Sequence, residues 1–182
     1  MIVNDAFIAE LIDDREKGWS DRPPDPPTNW GMSLPQWDRY CMATNQTFRS
    51  GKRRLRAATR EDAFAFYRWY FADIGVLGMD VPDGLWEHIL DLYVLHSAKP
   101  GVETILKDAP VVLGFFHGTP LQLVRDQVGV HAIHAGIALA RIRYMTEIAE
   151  RDPGKRQFHR GWVIRALKMG GLWPREKTTE EV

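Results

Sequence analysis

Cysteine is almost missing from this sequence: Cys41 is the only one in 182 residues. A single thiol closes no intramolecular disulfide, so the fold must rest on core packing, as suits a protein made in a reducing cytoplasm. An excess of either charge is missing too. Lys plus Arg number 24 and Asp plus Glu number 24, a formal net charge of zero, so bulk electrostatics point neither to nucleic acid nor to an anionic membrane. No apolar run reaches the roughly 18 residues of a membrane span, and no stable membrane insertion is expected. A signal peptide needs a basic start and an unbroken apolar core. The N-terminal stretch instead carries Asp5, Glu10, Asp13 and Asp14, so synthesis without a signal peptide is expected. Internal repeats, phosphate-binding glycine loops and nucleophile-elbow serines are also lacking.

What is present reads as a soluble, mostly helical protein. Hydrophobic residues make up 45% and charged residues 26%, ordinary values for a globular chain. The length fits one domain, or one with a small appendage. Residues 2–16 place Val3, Phe7, Leu11 and Ile12 on one helical face, with Gly18 as the stop. Four prolines surround Asp25 between Trp19 and Thr28, a density that predicts a loop. Ser33 to Gln36 reads as a capping box opening a helix to Ala43, and Thr59 as the cap of a helix from Arg60 to Ala72. Ala63, Phe66, Tyr67 and Tyr70 form the apolar stripe of that second helix. Further helices are expected from Pro82 or Asp83 to His96, and over 102–107, 120–128, 131–150 and 158–168. Ala98–Gly101 and Asp108–Pro110 are expected as breaks, Val111–Phe116 as a short strand, and the tail after Trp173 as frayed. The basic stretch 44–58 has two readings, a solvated loop or a binder of an anionic polymer.

Candidate chemistry narrows quickly. His131 and His134 are three apart on one helix, but no carboxylate or cysteine pair accompanies them, so no metal is expected. Cys41 sits in an amphipathic helix and reads as a buried thiol. The segment Glu16 to Gly31 is different. A glutamate at the end of an amphipathic helix, beside tryptophans, can be desolvated and kept protonated, as a glycosidase acid must be. Asp25, on a proline-stiffened loop, offers the second carboxylate that such an enzyme needs. The plainer reading makes both of them ordinary surface residues.

Several motifs resemble glycoside hydrolase family 108, the peptidoglycan muramidases of phages and prophages. That family opens with a helix ending in Glu-Gly-Gly-Tyr, then a loop of the type Asn-Asp-Pro-x-Asp-Pro-Gly-Gly-x-Thr, then x-x-Gly-Ile. Glu16, Gly18, Trp19, Asp21, Pro23, Asp25, Pro26, Thr28, Gly31 and Met32 occupy the matching places. Thr59-Arg-Glu-Asp-Ala63 with Tyr67, Asp91 to Gly101, and Phe158-x-x-Gly-Trp162-x-x-Arg165 resemble three later motifs. Lys17 replaces a glycine, the Asp-to-Thr loop lacks two glycines, and His96 and Ala98 replace the Asn and Gly of the central turn.

The resemblance implies a mostly α, lysozyme-like helical fold with a short irregular or β segment. Residues 1–107 would form the catalytic region. Residues 108–182 would form a C-terminal helical part completing the same domain, a degenerate peptidoglycan-binding-like region. Glu16 would be the general acid, Asp25 the second carboxylate and Thr28 a positioner of water, with inversion the favoured stereochemistry. Trp19, Trp30 and Tyr67 would line saccharide subsites, or else be plain core. The substrate would be bacterial peptidoglycan, cut at the β-1,4 bond between N-acetylmuramic acid and N-acetylglucosamine, without a cofactor, by a monomeric phage or prophage endolysin that reaches the wall through a holin. The alternative is a non-catalytic peptidoglycan-binding or structural protein on the same fold.

Overall fold

The computed structural model describes residues 5–16, 18–21, 23, 25–75, 81, 84–96 and 99–172. The chain divides into two compact units, Met1–Asp80 and Val81–Val182. Within the described residues the structure is helical apart from one three-stranded antiparallel sheet, the mostly α arrangement expected of a lysozyme-like fold.

The first unit opens with α1 (Asp5–Glu10), which passes directly into a π-helical turn, Leu11–Arg15. Phe7, Ile8, Leu11 and Ile12 are buried, so most of the predicted apolar face is real; Val3 lies outside the described residues. Glu16 closes the turn. Its φ of −113° and ψ of 58° leave the helix, and its N–H donates to the Leu11 carbonyl at 2.9 Å. The helix therefore stops before Gly18. Next come β1 (Trp19–Ser20), β2 (Thr28–Asn29) and β3 (Met32–Ser33), in spatial order β1-β2-β3. The described residues of the proline-rich stretch are irregular as predicted between its two ends, which are strand residues.

α2 (Leu34–Ala43) starts at the predicted cap, where the Ser33 N–H and hydroxyl donate to Gln36 Oε1 at 3.3 and 2.8 Å. The basic stretch is ordered rather than a loop. It forms a 3₁₀ turn (Thr47–Arg49) and α3 (Lys52–Arg56), with Leu55 wholly buried and holding the helix down. α4 (Arg60–Asp73) has the predicted Thr59 cap: the Asp62 N–H donates to Thr59 Oγ1 at 3.3 Å and the Thr59 N–H to Asp62 Oδ2 at 3.0 Å. Its stripe of Ala63, Phe66, Tyr67, Tyr70 and Phe71 joins Trp37 and Tyr40 of α2 in an aromatic core. Such ring pairs add to stability beyond the apolar area they bury.

The second unit is built on α8 (Val130–Arg151), which packs against α6 (Lys99–Val112) and α9 (Arg156–Met169), with α5 (Trp86–His96) and α7 (Leu121–Val128) alongside. Pro82, Asp83, Ala98 and the tail from Trp173 lie outside the described residues. The expected strand at Val111–Phe116 is not one. Val111 and Val112 end α6, and residues 113–118 form turns. β-branched residues favour a strand only where a neighbouring strand offers a ladder. Here packing on α8 keeps the chain helical. Residues 99–101 of the first expected break and all of the second also fall within α6. Pro100 sits in its first turn, where a missing N–H costs nothing. Pro110 sits two residues from its end, where one bond is lost. The helix thus runs on through residues 107 and 108, where a helix was expected to end.

Candidate active site

The site is assembled by the tip of a hairpin. Asn29 pairs with Met32 across β2 and β3, so Trp30-Gly31 is a two-residue loop. Both residues have positive φ, +51° and +73°, as the type I′ hairpin turn demands. A left-handed tryptophan is uncommon, and such a backbone costs on the order of 1–3 kcal/mol unless its surroundings fix it. They do so at three points. Tyr67 Oη donates to the Trp30 carbonyl at 3.0 Å, Trp30 Nε1 donates to the Ala58 carbonyl at 3.1 Å, and the Trp30 N–H donates to the Gly18 carbonyl at 3.3 Å.

That tip lies against Glu16. A Cβ placed on Gly31 would stand 2.3 Å from Tyr67 Oη, 2.6 Å from Glu16 Oε2 and 2.7 Å from Glu16 Cγ. No side chain fits there, so the glycine is required both for its φ and for this approach. The phenol oxygen and the carboxylate oxygen are therefore at most about 4.9 Å apart, the sum of their separations from that one point. Glu16 is half-buried and caps a π turn, an irregularity frequent at functional sites.

The other predicted residues surround this centre unequally. Trp19 is half-buried on β1, opposite Asn29, with the Arg56 guanidinium carbon 5.6 Å from its ring centroid. Thr28 is half-buried on β2, opposite Ser20 on one side and Ser33 on the other. Trp30 is half-buried at the tip itself. Asp25 lies half-buried in the loop joining β1 to β2. Tyr67 is 1% exposed, with its ring against Phe66 and Phe71. Its face belongs to the core and is closed to a sugar; only its hydroxyl reaches the site.

Sequence reading missed the residues that fix this geometry. Asn29 is 4% exposed, and its Nδ2 reaches the Leu55 carbonyl at 2.9 Å and the Ala58 carbonyl at 3.2 Å, binding the end of α3 to the hairpin. The Trp-Gly pair between short extended segments was the available signal for the turn; nothing local signalled what the turn touches. In the second unit, Asp91 and Arg165, both motif residues, meet in a buried cluster with Arg141. Arg141 Nη1 donates to Asp91 Oδ2 at 2.7 Å, and Arg165 Nη2 donates to Asp91 Oδ1 at 2.7 Å. Burial alone would raise the Asp91 pKa, yet the two guanidinium groups hold it well below the usual carboxylate range.

The remaining candidates form no site of their own. Cys41 is fully buried, and burial pushes its thiol pKa up, away from the nucleophilic thiolate. His134 stacks on His88 with their Nδ1 atoms 3.1 Å apart, and its Nε2 is 3.0 Å from the Gly84 carbonyl. Among the described residues no group of three or more histidine, cysteine, aspartate or glutamate side chains converges as a metal site would.

No curated protein and no solved structure matches the chain. A family model does, over residues 9–96, under the description Glycosyl hydrolase 108. The matched range contains Glu16, the Trp30-Gly31 hairpin and Tyr67. Residues 9–96 therefore belong to glycoside hydrolase family 108, and the chemistry they bring is hydrolysis of a glycosidic bond.

Proposed function

We propose that the chain is a peptidoglycan N-acetylmuramidase that cuts the β-1,4 bond between N-acetylmuramic acid and N-acetylglucosamine, with Glu16 as the general acid. The observation that carries this reading is the seating of the Glu16 carboxyl against Gly31, beside the buried Tyr67 phenol, within a family-108 segment. A carboxyl crowded on one flank by the hairpin backbone is restricted in orientation, which proton donation to a leaving oxygen requires. Asp25 is the second carboxylate and Thr28 the hydroxyl that steadies the attacking water, which favours inversion. Trp19 and Trp30 offer half-buried ring faces to the sugars, and Tyr67 serves as a positioning residue in place of a lining one. Residues 108–182 complete the same catalytic domain. The protein works as a monomer in the role of a phage or prophage endolysin, reaching the wall after release by a holin. No helix among the described residues is long and apolar enough to cross a membrane.

Glu16→Gln keeps the shape and removes the proton. It should lower the release of new reducing ends from purified peptidoglycan by roughly 10²–10⁴-fold with the melting temperature nearly unchanged. Near wild-type hydrolysis by the Gln variant would remove Glu16 from the mechanism. Mass spectrometry of the wild-type products identifies which sugar carries the new end.

A further inference from the structure

We propose that the face of α3 turned toward β1 is an anion-binding rim of the Glu16 site, which takes the carboxylates of the substrate strand's peptide stems. This inference rests on the muramidase reading and adds to it a charge preference. Three observations point to the rim. First, α3 is fixed to the catalytic hairpin at its end by Asn29 Nδ2, on the Leu55 and Ala58 carbonyls, and by Trp30 Nε1 on Ala58. Its start is held where the Gly51 N–H donates to Asp38 Oδ1 at 2.6 Å. The backbone that carries its cations is therefore tied to the hairpin that seats Glu16, unlike that of a solvated loop.

Second, that face meets β1. Lys52 Nζ is 2.7 Å from Asp21 Oδ2, and the Arg56 guanidinium lies over Trp19. Lys52, Arg53 and Arg56 fall within about 100° of arc on an α-helix, whereas Arg54 points about 160° away from Arg56. Third, the charge is not cancelled. Arg49 is neutralised by Asp62 at 2.6 Å and Lys52 by Asp21, but Arg53 and Arg56 are exposed and have no carboxylate partner among the described residues. In a chain of zero net charge, two uncompensated guanidiniums beside a half-buried tryptophan form a local anion site, because a guanidinium matches a carboxylate fork.

The test measures binding and turnover separately. The Glu16→Gln protein, which binds without cutting, is titrated on three insoluble walls: native, carboxyl-blocked by carbodiimide coupling to ethanolamine, and stripped of phosphate polymers with hydrofluoric acid. Blocking should weaken binding several-fold to about tenfold at low salt, since exposed pairs are individually weak, and phosphate stripping should change little. Adding Arg53→Gln and Arg56→Gln should erase the difference between native and blocked walls. Adding Arg54→Gln instead, with a smaller but comparable loss of charge, should leave the difference in place. Equal binding of the Glu16→Gln parent to native and blocked walls would overturn the rim. So would an equal effect of Arg54→Gln, which would mean bulk charge, or a loss confined to the phosphate-stripped wall, which would mean a different anion. Failure of the muramidase reading shows elsewhere, as wild-type protein releasing no reducing ends from any wall.

Discussion

Gly31 carries the sharpest demand of any single residue. Its φ is +73°, and a methyl at its Cβ position would collide with both Tyr67 Oη and Glu16 Oε2. Gly31→Ala must therefore push the carboxyl aside or open the hairpin. Small displacements of a catalytic group are costly, so kcat should fall by at least tenfold, with a stability loss of about 1–3 kcal/mol from the strained backbone and contacts. Tyr67→Phe is gentler. It keeps the buried ring and removes the hydroxyl that donates to the Trp30 carbonyl, which should cost about 1 kcal/mol. If Tyr67 positions rather than binds, kcat should drop while KM stays near wild type. A rise in KM with kcat unchanged would instead mark it as a substrate contact.

The elements of the second unit are tied at one carboxylate. Asp91 on α5 holds Arg141 of α8 and Arg165 of α9, with Asp91 and Arg141 fully buried. Asp91→Asn leaves two guanidiniums with a weakened partner, the Arg141 one fully buried, and should destabilise the unit by about 3–5 kcal/mol in denaturant unfolding. Replacing all three residues by apolar ones of similar volume should recover much of that loss. A triple variant as unstable as the single one would assign the damage to packing instead of charge. This cluster also shows how far the sequence was legible. The caps at Ser33 and Thr59 were readable because a cap is a local bargain between residues three apart. Asp91 and Arg165 stood out only as pieces of separate motifs, because they lie 74 positions apart and no periodicity joins them. Arg141 gave no signal at all. The strands escaped for another reason: at two residues each they are too short for alternation to register. Glu16 was legible through its motif, but its place beside Gly31 and the Tyr67 hydroxyl was not, since a hairpin tip reaches across to a different helix.

At the scale of the whole molecule, acid should loosen the fold before any carboxylate of the cluster protonates. His96 ends α5 with its Nε2 buried, edge-on to Tyr144. Burial, with help from nearby Arg141, pushes its pKa down to about 3. An unfolded histidine takes up its proton near 6.5, so between those values the unfolded chain binds a proton that the native one refuses. Stability is full above about pH 6.5 and falls as pH drops toward 3, by up to about 1.4 kcal/mol per pH unit. His134, also lowered by burial, adds in the same direction. Asp91, whose folded pKa is depressed, contributes its loss only below about pH 4. Melting temperatures measured between pH 7 and 4.5 should therefore decline, and His96→Asn should flatten the decline; an unchanged slope would acquit His96. The Asp91 cluster has one more consequence, for anyone trimming this gene. The family match ends at residue 96, which invites a stop codon there. Such a product would keep the carboxylate and discard both of its cations, along with the helix packed beside it. The stretch recognisable by kinship and the stretch able to stand alone are thus different lengths of chain, and the shorter is a poor reagent.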